Sequence, residues 1–162
     1  MAERPIRIFG DPVLKTVSDA ITDPASARAL VQDLLDSVAL PGRAGVAACQ
    51  IGVNLRAFSW NVDGEIGYVI NPTLVEVAGE VELLDEGCLS VPELFFTTPR
   101  YPFARVVGVD LDGETVDVSG TGLLAQALQH ECDHLDGLLY LDRLEQPIRR
   151  EALRAIRGTS WF

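Results

Sequence analysis

Leu123-Leu124-Ala125-Gln126-Ala127-Leu128-Gln129-His130-Glu131-Cys132-Asp133-His134-Leu135-Asp136 reads as one helix with three faces. At 100° per residue, Leu124, Ala125, Leu128, Cys132 and Leu135 form an apolar stripe fit for a core. Gln126, Gln129, Asp133 and Asp136 form a polar stripe, and Leu123, Ala127, His130, Glu131 and His134 fall on a third face that is neither. A surface helix needs only two faces. The chain has 2 histidines, and they stand here, four positions apart. That spacing is slightly more than one turn, so on a helix both imidazoles project from one face and can grip one metal ion, with the Glu131 carboxylate beside it. The pattern points to metal-dependent hydrolysis.

A catalytic zinc-type site takes three protein ligands and keeps a position open for water, so a third ligand is required. One class of zinc peptidases extends the pattern as H-E-x-x-H-x-x-G-x-x-H. Gly137 fits its glycine, but Tyr140 stands at the last histidine. Glu145 or Glu151 is a downstream alternative, and that choice describes a peptidase. The stronger candidate is Cys88 in Glu86-Gly87-Cys88-Leu89-Ser90-Val91-Pro92, where a flanking glycine and a proline-ended turn bring a thiolate close to a metal. A non-catalytic metal or redox sensor, using all three cysteines, is a further alternative. A third constrained segment, Gly42-Arg43-Ala44-Gly45-Val46-Ala47-Ala48-Cys49-Gln50-Ile51-Gly52, is rich in small residues around one amide, Gln50.

Together these segments resemble the peptide deformylase family, which carries G-x-G-L-A-A-x-Q, E-G-C-L-S and Q-H-E-x-D-H-L in that order. The second is complete as Glu86 to Ser90 and the third as Gln129 to Leu135. The first departs from the pattern at Arg43, Ala44 and Val46, and Gly10-Asp11-Pro12-Val13-Leu14 also matches the family's N-terminal stretch. The resemblance implies that Cys88, His130 and His134 bind the metal and that a bound water is acidified into hydroxide near neutral pH. It implies that Glu131 is the general base and acid. It assigns the oxyanion to the Leu89 N–H and the Gln50 amide, donors worth ~3 kcal/mol each in a dry site. The implied reaction is removal of the N-formyl group from the N-terminal methionine of new polypeptides. Fe(II) is the implied native metal, with zinc, nickel or cobalt as substitutes. By the same resemblance Ala44, Gly45 and Gly87 bind the substrate backbone, and Leu84, Leu123 and Ala127 lie near the methionine side chain. Ala44 and Gln126 stand where larger apolar residues are common, which implies a wider or wetter slot. Arg100 is placed to pair with Glu86 or Asp133.

At 162 residues and 48% hydrophobic content, the chain reads as a single catalytic domain spanning residues 1–162. Three cysteines and an N-terminus without an apolar run point to a reducing cytoplasm, and no long apolar run suggests a membrane span. The net charge of −11 argues against general nucleic-acid binding. One local exception is Pro147 to Arg157, where Arg149, Arg150, Arg154 and Arg157 surround an apolar stripe of Ile148, Ala152 and Ile156. It is a docked helix and, by resemblance, a candidate ribosome contact.

The expected architecture is α+β, with mostly antiparallel strands around the metal-ligand helix and with Gln50 and Cys88 carried on strands. A helix is expected from Asp23-Pro24 to about Leu40. Strands are expected over Leu55–Trp60, Ile66–Ile70 and Thr73–Val77, with a hairpin of Phe103–Leu111 and Glu114–Val118 turned by Asp112-Gly113. Gly137 is expected to cap the ligand helix.

Overall fold

The computed structural model describes residues 4–162. Helix α1 (Arg28–Val38) precedes strands β1 (Gly45–Ala47), β2 (Ala57–Val62), β3 (Glu65–Ala78), β4 (Glu82–Cys88), β5 (Val91–Arg100), β6 (Phe103–Val109) and β7 (Thr115–Thr121). Helices α2 (Gly122–Leu135) and α3 (Gln146–Arg157) follow. An antiparallel five-stranded sheet runs β1-β2-β3-β6-β7, and β4-β5 form a separate two-stranded ribbon.

Period-two alternation sorts the sheet into two buried faces. Val46, Ala57 and Ile70 pack with Leu30, Val31, Leu34 and Val38 of α1, while their neighbours Ala47, Phe58 and Val69 pack with Ala125, Leu128, Cys132 and Leu135 of α2. The sheet thus lies between the two helices, and α2 is the inner one. A third cluster joins Val91 of β5 to Ala152 and Ile156 of α3 through Leu139, Tyr140 and Leu141. The stripe Ile148, Ala152, Ile156 docks α3 as its spacing suggested.

Several boundaries differ from the sequence reading, each for a local reason. The first helix opens as a 3-10 turn over Pro24–Ala27, with the Asp23 side chain accepting from the Ala25 N–H at 3.2 Å. The strand expected at Leu55 begins at Ala57. The strands expected at Ile66–Ile70 and Thr73–Val77 are one strand, bent at Asn71, which adopts φ +51. The Asn71 amide compensates by bonding both the N–H and the carbonyl of Ile21, at 2.8 and 2.9 Å. Proline at 92 and 99 disguised the β4–β5 ribbon, where it is tolerated because each strand has one free edge. Gln50 lies on a 3-10 turn over Ala48–Ile51 rather than on a strand.

Helix α2 ends as expected. Gly137 at φ +77 lets its N–H reach the His134 carbonyl at 3.1 Å and the Leu138 N–H reach that of Asp133 at 2.9 Å. Its polar stripe is not solvated throughout, however: Gln129 and Asp133 are buried. Gln129 spends its amide on the Tyr101 N–H and carbonyl, at 3.0 and 2.9 Å.

Candidate metal centre

The third face of α2 brings His130 and His134 against the end of β4. Cys88 Sγ lies 3.4 Å from His134 Nε2, and that nitrogen lies 3.2 Å from His130 Nε2. With metal bonds of ~2.0–2.3 Å, tetrahedral geometry puts ligand atoms roughly 3.3–3.6 Å apart, so these side chains already stand at coordinating separation. They are the one three-residue donor group among the described residues, with all donor atoms within 4.8 Å of one another. Glu145 and Glu151, the peptidase alternative, are exposed and outside this group.

A hydrogen bond sets which nitrogen of His130 is left for an ion. His130 Nδ1 donates to Glu86 Oε2 at 2.6 Å, leaving the Nε2 lone pair for a metal. Glu86 in turn receives Arg100 Nε and Nη2 at 2.8 and 2.6 Å, and Arg100 Nη1 donates to Asp133 Oδ2 at 2.8 Å. Arg100 therefore pairs with both acids rather than one. Although burial opposes the charge, Arg100 and His130 bring the Glu86 carboxyl down to about 2. Tyr140, which stood in the place of a third histidine, stacks along His130 instead, with ring centroids 6.2 Å apart.

Glu131 is buried, and its Oε1 has no protein partner. Burial is the main force pushing its carboxyl up to about 7, with His130 opposing and Glu86 adding to the rise. A carboxyl poised there suits proton transfer in both directions. Gln50 is also buried, and its Oε1 accepts from the Ala47 N–H at 2.9 Å. This fixes the amide orientation, so Nε2 lies 3.2 Å from Ser90 Oγ and 3.6 Å from Cys88 Sγ. Cys49 and Cys132 do not join the donor group. Burial pushes both thiols up to about 12, and Cys49 Sγ donates to the His134 carbonyl at 3.7 Å. That separation of roles removes the ground for a sensor built on all three cysteines.

A cleft of about 470 Å³ opens onto this centre. Ala44, Gly45, Gly87, Leu123 and Ala127 line it together with Gln50, Leu89 and Glu131, whereas Leu84 does not. Leu84 pairs with Thr98 within the ribbon. Gln126 lines the wall, and its Nε2 donates to the Asp85 carbonyl at 3.0 Å and Glu86 Oε1 at 3.3 Å. Sequence reasoning missed Phe95, which stands opposite Gly87 in the ribbon and is 71% exposed at the cleft. Only the strand register reveals that pairing, so no sequence signal marked it. It also missed Ser90, whose place in the Cys88 motif was the available signal.

Comparison with known proteins agrees with this geometry. A family model described as polypeptide deformylase matches residues 3–150. The peptide deformylase of Acidothermus cellulolyticus is 46% identical, covering 99% of this chain and 89% of that protein. Peptide deformylase 1 of Corynebacterium efficiens is 40% identical over 100% and 99%. Among solved structures, peptide deformylase from Thermus thermophilus superposes with a TM-score of 0.88 at 34% identity, covering 97% and 95% of the two chains. That from Synechococcus elongatus, solved in complex with actinonin, gives 0.87 at 29% identity over 99% and 91%. With the family model spanning the ribbon cysteine and both helix histidines, the chain belongs to the polypeptide deformylase family.

Proposed function

We propose that this chain removes the N-formyl group from the N-terminal methionine of newly made polypeptides by metal-assisted hydrolysis, with Glu131 moving the proton. The observation that carries the reading is the buried Glu131 carboxyl, with its unpartnered Oε1, on the same helical face as the Cys88, His130 and His134 donor group. Cys88, His130 and His134 would hold a divalent ion, which when bound would supply Lewis acidity for the hydrolysis. Glu131 takes the proton of the attacking water as the tetrahedral species forms and returns it to the departing amine. Gln50, its amide aimed by the Ala47 N–H, and the Leu89 N–H next to Cys88 receive the negative charge that collects on the formyl oxygen. Glu86 and Arg100 hold His130 throughout.

An extended peptide fits between two free strand edges. Among the described residues β1 pairs only with β2 and β4 only with β5, and both border the cleft through Gly45 and Gly87. Leu123 and Ala127 receive the methionine side chain, and Ala44 and Gln126 leave that slot wider and more polar. The native ion is Fe(II), which the thiolate ligand accommodates, with zinc, nickel or cobalt as substitutes. Residues 1–162 act as one catalytic domain in the cytoplasm. No helix among the described residues is long and apolar enough to cross a membrane. Arg149, Arg150, Arg154 and Arg157 on α3 supply a ribosome contact.

Replacing Glu131 with Ala tests the assignment. We expect the variant to retain one metal ion per chain while losing nearly all hydrolysis of a formyl-methionyl tripeptide. Loss of the ion together with activity would remove Glu131 from the proton-transfer role.

A further inference from the structure

We infer that Arg143, outside the catalytic cleft, is a positioning residue for the metal centre, acting through Asp133, Arg100 and Glu86 on His130. The inference rests on the metal-site reading above and extends it to a group that touches neither ligand nor substrate. Arg143 donates Nη2 to Asp133 Oδ1 at 2.7 Å and Nε to Asp133 Oδ2 at 3.2 Å. Asp133 Oδ2 also takes Arg100 Nη1 at 2.8 Å, Arg100 grips Glu86 with two bonds, and Glu86 receives His130 Nδ1 at 2.6 Å. Side-chain exposure falls from 48% at Arg143 to 9% at Asp133 and 3% at Arg100. The outer end lies in a second cavity of about 500 Å³, which shares no lining residue with the catalytic cleft.

The four outer groups alternate in sign and balance: Arg143 and Arg100 against Asp133 and Glu86. Asp133 is buried, and both guanidinium groups bond its carboxylate oxygens. Without the Arg143 fork, Asp133 draws on Arg100 alone. That guanidinium is then shared unequally, and its two bonds to Glu86 loosen. Glu86 is the Nδ1 partner of His130, so the imidazole loses the constraint that aims Nε2 at the ion. The bland alternative is that Arg143 only pins the 3-10 turn Tyr140–Arg143 to α2. Arg56 provides a matched control in the same cavity. It bonds the Leu135 carbonyl and Asp136 at the same helix end, at 2.8 and 2.9 Å, without a link to Glu86.

The test uses the full chain loaded with cobalt(II), whose visible absorption reports ligand geometry. Arg143→Gln, Arg143→Lys and Arg56→Gln are compared for metal release to a chelator, for the cobalt spectrum and for thermal midpoint. The lysine variant keeps the positive charge but loses the fork, and it remains informative if the glutamine variant folds poorly. We expect both Arg143 variants to release metal about 10-fold faster, the low end for outer-shell changes, and to shift the cobalt spectrum. Arg56→Gln should lose thermal stability with release and spectrum like the parent. Parent-like release and spectrum in the Arg143 variants, whatever their melting points, would overturn the inference. So would slower release in Arg143→Gln with a parent-like lysine variant, since that is a field effect without positioning. A parent chain that takes up no cobalt would instead undo the metal centre itself.

Discussion

A single methyl group at position 45 should disable catalysis while leaving the metal in place. A Cβ built on Gly45 falls 2.5 Å from Glu131 Oε2, 2.8 Å from its Cδ and 2.9 Å from its Cγ. Comfortable nonbonded separations are ~3.5 Å, so the carboxylate has to retreat by about 1 Å. The backbone cannot yield instead, because Gly45 is held in register against Trp60 in β1–β2 and Glu131 is anchored in α2. Displacing a proton-transfer group by that distance costs on the order of 100-fold in rate, or ~2.7 kcal/mol of barrier. Overpacking should also lower folding stability by about 1–3 kcal/mol. Hydrolysis of a formyl-methionyl tripeptide by Gly45→Ala should therefore show kcat reduced about 100-fold. Metal content should match the parent. Gly113→Ala is the control: φ is +77 there, nothing lies within 4 Å and the position is outside the cleft, so that variant carries backbone strain without a clash. It should lose about 1 kcal/mol of stability and keep its kcat. A parent-like kcat in Gly45→Ala would refute the reasoning, because Glu131 would then tolerate displacement that its proposed role forbids.

Thiol chemistry gives a second test. With the metal stripped by a chelator, brief iodoacetamide treatment should label Cys88 and spare Cys49 and Cys132, which are buried with thiols pushed up to about 12. Peptide mapping that finds Cys49 or Cys132 modified first would contradict this. Acid stability gives a third. Glu86 falls from an ordinary 4.5 to about 2 in the folded chain, so its stabilisation is fully present above about 4.5 and is lost as pH drops toward 2. Urea unfolding of metal-free protein should show a loss of ~3 kcal/mol over that window, shallower in Glu86→Gln. Equal slopes would count against it. On α3, changing Arg149, Arg150, Arg154 and Arg157 to Gln should reduce low-salt ribosome co-sedimentation and leave tripeptide hydrolysis almost unchanged. Unchanged sedimentation would leave α3 as a docked helix only.

The candidate metal donors were legible in the sequence because their spacing is a property of one helix and one turn, whereas the support beneath them depends on pairing between distant strands. His130, Glu131 and His134 share a face by helical period alone, and that face is where the cleft opens. The polar stripe on the same helix left the surroundings of Gln129 and Asp133 open, since periodicity reports which residues share a face and not what covers it. Tyr101 backbone covers the first, and Arg100 and Arg143 cover the second. Arg100 reaches α2 only because β5 runs beside β4 in a register that sets Glu82 opposite Arg100 and Gly87 opposite Phe95. Two prolines and few alternating residues hid that ribbon from a strand pattern. The same ribbon delivers Cys88, Glu86, Arg100 and Phe95 to the centre, so the least legible element of the fold governs how the most legible ligands are held. Substitutions that disturb the ribbon register should therefore act on metal retention before they act on the five-stranded sheet.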